Sequence, residues 1–170
     1  MGKETQESHM RIAIRALIVL ASLGLAFLAY FRLFGTPVSD AVARWTALSA
    51  GSTLKVLGAP VETSGTIVAS SDFAYSVVTE CTIIGPLLLF AAAAVAYPST
   101  LKSKALGIGM AVVSLSLINL VRLVSLYYIG AYYPVYLPVA HYVAWQAAII
   151  VFTLLLWLWW VERFTRRRSV

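Results

Sequence analysis

Three residues in this chain carry side chains suited to covalent chemistry on a carbonyl group: Cys81, Arg122 and His141. Cys81 is the one cysteine, so it has no partner for an intramolecular disulfide and cannot build a Cys-rich metal site. As a thiolate it would be a nucleophile, and a nearby cation or imidazole favours that form in apolar surroundings. An imidazole such as His141 can take the thiol proton and later give it to a departing amine. Arg122 keeps its charge at any physiological pH, and its planar donor fork suits an oxyanion or a substrate carbonyl. It stands in Asn119-Leu120-Val121-Arg122, inside an apolar run from Ala105 to Ile129. A charge in hydrocarbon is costly and rarely lacks a partner or a task. Asn119, one turn earlier, and Ser125, one turn later, share its helical face and are candidates to orient the guanidinium. Glu80, next to Cys81, is a candidate partner for Arg122 or His141, and reads equally well as a solvated boundary charge.

Taken singly, each residue has a plainer reading. A lone membrane cysteine is commonly a small apolar filler or a lipidation site. A histidine at a helix start is commonly an interfacial anchor, and an arginine can snorkel to headgroups. What distinguishes these three is where the chain puts them.

Of 170 residues, 61% are hydrophobic and 12% charged, and the mean hydropathy is +0.85. Soluble domains carry roughly twice that share of charge, so the chain reads as an integral membrane protein. The net charge of +6 sits at the edges of apolar runs and not in stretches interleaved with aromatics, which speaks against nucleic acid. His9 and His141 lie far apart and no HExxH pair exists, so no metal and no cofactor are expected.

The expected fold is an all-α integral membrane domain, a four-transmembrane-helix bundle with an outer surface helix and a short β-hairpin. Residues 1–10 read as a disordered cytosolic leader. Spans are expected at 11–34, 81–97, 105–129 and 141–161, each an apolar run suited to crossing. Thr36-Pro37 ends the first. An amphipathic helix follows at 38–57, its apolar face carried by Val38, Ala41, Val42, Trp45 and Leu48. Residues 58–79 hold Pro60, Gly65 and the Ser70-Ser71-Asp72 turn signal. They read as a hairpin with Ile67 and Ala69 opposing Phe73, Tyr75 and Val77. Lys102 and Lys104 mark a tight loop, residues 130–140 a longer one, and residues 162–170 a basic cytosolic tail. Tyr127, Tyr128, Tyr132, Tyr133 and Tyr136 read as an interfacial belt.

Positive loops face the cytosol. That rule puts both termini and the Lys102 loop inside a multi-pass cytoplasmic-membrane protein, and the 35–80 segment outside. Cys81 and His141 then open their spans at the outer face. At about 1.5 Å per residue, Arg122 lies roughly 25 Å beyond Ala105, in the outer third of the bilayer. Three reactive side chains from three helices are thus expected at one depth.

A cysteine at the outer mouth of one helix, Asn119-Leu120-Val121-Arg122 near the end of the next, and His141 opening the one after resemble the exosortase/archaeosortase family. The resemblance covers about 58–161, and the short length is similar to that of small members such as exosortase H. It implies a membrane cysteine transpeptidase with Cys81 as nucleophile, Arg122 as oxyanion or substrate stabiliser and His141 as general acid/base. The implied partners are membrane lipid and secreted proteins bearing a C-terminal motif, a transmembrane helix and a basic tail. One departure stands out: many members follow the cysteine with a small residue and glycine, whereas here Thr82 and Ile83 follow and the glycine waits until Gly85. The alternatives are a hydrolase with the same site, and a non-enzymatic scaffold or transporter subunit in which Arg122 binds an anionic headgroup.

Overall fold

The computed structural model of the protein describes residues 2–165. Helix α1 (Gly2–Leu33) runs back through the segment read as a disordered leader. Lys, Glu and Gln are good helix formers, and no proline interrupts the approach to the apolar run. Thr36 then caps α2 (Pro37–Val56). Its backbone N–H donates to Ser39 Oγ at 3.1 Å, and the Ser39 N–H donates to Thr36 Oγ1 at 3.4 Å. Pro37 sits at the first helical position, where a missing N–H costs nothing.

The packing face of α2 differs from the expected one. Ser39, Ala43, Ala47, Ala50, Gly51 and Leu54 are buried, while Val38, Trp45 and Leu48 are exposed. The small residues let α2 lie close against helix α4 (Leu101–Tyr132) and a three-stranded sheet. The bulky residues are left facing outward.

That sheet replaces the single hairpin. Strands β1 (Glu62–Ser64), β2 (Ile67–Ala69) and β3 (Ala74–Ser76) pair antiparallel in sequence order. Gly65, at φ 60°, makes the two-residue turn between β1 and β2. Ser70 Oγ accepts from the N–H groups of Asp72 and Phe73 at 3.2 Å each, fixing the loop into β3. Val68 pairs with Tyr75, so Ile67 and Ala69 oppose Ser76 and Ala74 instead of Phe73, Tyr75 and Val77. This one-residue difference turns the strand over. It brings Val68 and Tyr75 to the same face. Phe73 lies so close to Gly130 of α4 that a Cβ there would overlap its ring.

After a 3-10 turn at Thr79–Cys81 comes α3 (Ile84–Ala96), packed against α1, α4 and α6 (Trp145–Phe164). Three helical stretches are long and apolar enough to cross a membrane: Ala13–Leu33, Leu101–Tyr132 and Pro134–Phe164. The remaining expected span, at 81–97, is α3, whose 13 residues reach roughly 20 Å against the ~30 Å of a hydrocarbon core. Helix α4 begins inside the expected basic loop, with Thr100 as its cap. Lys104 reaches back from there to donate to the Val95 carbonyl at 2.6 Å, satisfying the end of α3.

The expected loop at 130–140 is mostly helical. A 3-10 turn (Pro134–Tyr136), the short α5 (Leu137–Val139) and a π-helical turn (Ala140–Ala144) lead directly into α6. His141 is therefore inside a helical segment and not at its mouth. Arg163 lies in the last turn of α6, and the arginines at 166–168 of the expected tail lie outside the described residues.

The interior has two cores. One joins α2, the sheet, Cys81 and the Leu123–Tyr127 end of α4. The other joins α3, α4 and α6 around Phe90, Leu115 and Trp160.

Candidate active site

Cys81 closes the 3-10 turn, where its N–H donates to the Val78 carbonyl at 2.8 Å. Its own carbonyl accepts from Asn119 Nδ2, also at 2.8 Å. This bond ties the turn to α4 one helical turn before Arg122. The Cys81 residue is 6% exposed, in a cluster with Ala47, Val68, Val77, Leu123 and Tyr127. It is a buried thiol, where the sequence reading had it opening a span at the outer surface.

Its neighbours Thr79, Glu80 and Thr82 line a cavity of about 560 Å³. The walls are α1 (Leu23, Phe27, Tyr30), α3 (Pro86, Leu88, Leu89) and α6 (Ile149, Ile150), with Gln146 also on the lining. Arg122 reaches the cavity from α4. The residue is 3% exposed, yet its Nε has no hydrogen-bond partner. A buried charge left short of acceptors is strongly disfavoured unless something arrives to meet it.

His141 is half-buried on the π-helical turn, which packs against α4. Its ring meets Tyr142 edge-on at 4.7 Å. Helix α4 is the element that Cys81 and His141 share: Asn119, one turn before Arg122, holds the Cys81 carbonyl, and the π-helical turn that carries His141 packs against the same helix.

The supporting residues take different places from those expected. Ser125 Oγ donates to the Arg122 backbone carbonyl at 2.8 Å, serving its own helix and not the guanidinium. Asn119 is spent on the Cys81 carbonyl, and its Oδ1 is buried without a partner. Glu80 is exposed and lines the cavity. Among the described residues no group of three His, Cys, Asp or Glu side chains is placed to hold a metal ion.

Two further residues escaped the sequence reading. Gln146 brings an amide to the cavity; its signal was an uncharged amide in an apolar run, five positions after His141. Tyr75 places a buried hydroxyl beside the Cys81 cluster, and nothing in its strand distinguished it from a packing aromatic. The chain matches no protein-family model, no curated protein and no solved structure.

Proposed function

We propose that this chain is a membrane cysteine transpeptidase that cleaves the C-terminal sorting signal of secreted proteins through a thioester on Cys81. The observation that carries this reading is the buried Arg122, its Nε unpartnered beside an apolar cavity, one turn from the residue that anchors Cys81. A substrate carbonyl entering there would give the guanidinium an acceptor, and the charge it develops during attack would strengthen the bond.

The Cys81 thiol gives its proton to His141, and the sulfur attacks the scissile carbonyl. Arg122 steadies the oxyanion. His141 then protonates the departing amine as the C–N bond breaks, leaving an acyl group on sulfur. An acceptor amine or hydroxyl, or water, resolves the thioester and regenerates the thiol. Because Cys81 is buried, the Thr79–Thr82 turn must shift for the sulfur to meet the cavity. Lys102, Lys104 and Arg163 at the far ends of their helices support a cytosolic placement of those ends, with the site at the outer face of the cytoplasmic membrane.

Replacing Cys81 by alanine in the native host should leave the protein at normal membrane levels while uncut precursors accumulate. Their C-termini can be read by mass spectrometry. Normal processing in that strain would overturn the proposal and favour the scaffold reading. In the wild type, an added mass on the new C-terminus marks transfer and a free carboxylate marks hydrolysis.

A further inference from the structure

The turn from Thr79 to Thr82 separates two environments. Thr79, Glu80 and Thr82 line the cavity that Arg122 reaches, whereas Cys81 lies in the buried cluster with Ala47, Val68 and Leu123. The residues on both sides of the thiol thus form a wall of the cavity while the thiol itself is kept out of it.

Within the turn, the Cys81 N–H donates to the Val78 carbonyl at 2.8 Å and the Thr82 N–H to the Thr79 carbonyl at 3.1 Å. Thr82 Oγ1 donates to the same Thr79 carbonyl at 2.6 Å and accepts from the Ile84 N–H at 3.3 Å. These bonds join near neighbours in sequence, so they travel with the turn and do not fix where it sits. The bond that fixes it runs from Asn119 Nδ2 on α4 to the Cys81 carbonyl, at 2.8 Å. Asn119 is 3% exposed, and its Oδ1 has no partner. Leucine would fill similar space without an orphaned acceptor, so what asparagine adds there is the single bond to Cys81.

We propose that the bond from Asn119 to the Cys81 carbonyl is a latch that keeps the nucleophile buried while the cavity is empty. The purpose given to the latch rests on the reading of Cys81 as the nucleophile. Carrying the sulfur across to the cavity turns the Cys81 backbone, and its carbonyl leaves Asn119 Nδ2. A buried donor cannot trade that bond for one to water, so the closed position is favoured. Whatever fills the cavity meets Thr79, Glu80 and Thr82, and its contacts with the shifted turn are what can outweigh the latch. Asn119 is therefore a positioning residue, which touches no reacting atom and governs when the thiol can be reached. A thiol withdrawn from an empty cavity is also shielded from oxidants.

The test measures the rate of Cys81 alkylation by iodoacetamide across pH, on the full-length protein in lipid nanodiscs, beside its thermal midpoint. Asn119→Leu should raise the rate about tenfold at every pH, the change expected when one buried hydrogen bond leaves the closed position. The midpoint of the pH profile should stay in place, because access changes and acidity does not. The thermal midpoint should stay near that of the wild type, since the orphaned Oδ1 goes with the lost bond. Asn119→Ala should speed alkylation in the same way. Trp160→Ala, which loosens the other core, should lower the thermal midpoint and leave alkylation of the folded protein slow. In the wild type, hydrogen exchange at residues 79–82 should run well ahead of exchange in α4, as a local opening does. An unchanged rate in both Asn119 variants overturns the proposal, and so does an equal rise in Trp160→Ala. Exchange at 79–82 that only keeps pace with α4 overturns it as well, whatever the variants do. No substrate enters these measurements. Faster alkylation in Asn119→Leu beside normal processing in Cys81→Ala would therefore sink the peptidase reading and leave the latch standing.

Discussion

At one end of α4, the Trp160 indole lies against Gly107 so closely that a Cβ there would overlap it, and its N–H donates to the Ser103 carbonyl at 2.9 Å. Phe90 and Tyr97 meet the same ring edge-on at 6.1 Å. At the other end, Arg122 and Tyr75 are held in place with donors that no acceptor meets. Both ends are buried, and both have orphaned polar atoms: Ser99 Oγ and the Trp157 indole nitrogen are unpartnered near the first. The difference is in kind. Near Trp160 the orphans are neutral and the central indole is satisfied. Near Cys81 the orphans include a charged guanidinium and the hydroxyl of Tyr75, which packs against the same cluster. Neutral orphans cost modestly, whereas an uncompensated charge costs several times more. A fold that retains the second kind gives up stability at that place, a cost that the proposed chemistry would account for.

The comparison can be broken by exchanging what each end contributes. Trp160→Ala should have the largest effect, lowering stability by about 3–5 kcal/mol as the cavity around Phe90 and Leu115 opens. It should reduce processing only in proportion to the folded protein lost, which detergent melting and membrane abundance together would show. Arg122→Met should behave in the opposite way. Processing should fall by about 10²–10³-fold, while the thermal midpoint holds or rises because a buried charge has been replaced by an apolar chain of similar length. A marked fall in that midpoint would mean the guanidinium is compensated at rest, as an anion-binding scaffold would have it. The smallest effect belongs to Ser125→Ala, within ~0.5 kcal/mol and with normal processing. Its hydroxyl serves a carbonyl of its own helix, so a larger loss of activity would show that it acts on the guanidinium after all.

The apolar runs located most of the helices, and Thr36-Pro37 and Ser70-Asp72 marked a helix break and a turn where the structure has them. Other features were hidden for physical reasons. The buried face of α2 is made of Ser, Ala and Gly, which pack by close approach and not by hydropathy, so Val38, Trp45 and Leu48 looked like the inner face and are the outer one. Lys102 and Lys104 read as a loop because they are charged, yet a lysine in a first turn can reach the preceding helix, as Lys104 does to Val95. The strand register turned on how the Ser70–Phe73 loop is bonded. For the candidate site, Cys81, Arg122 and His141 stood out as the residue types able to do chemistry in an apolar chain. Asn119 was placed beside Arg122 by helical spacing, but its bond goes to a carbonyl 38 residues away, a contact that only the tertiary fold creates.

The π-helical turn at Ala140–Ala144 gives the site a dependence on chain length. There the Trp145 N–H bonds to the Ala140 carbonyl, five residues back. This wider turn brings His141 and Gln146 nearer to one side of the helix than an α-turn would. Losing a single residue between them would let the helix close as an ordinary α-helix and swing His141 by about 100° relative to α6. Composition, charge and every hydrophobic run would be almost unchanged. A one-residue gap at this point is therefore the small lesion by which a copy of this chain could keep its fold and lose the placement of His141.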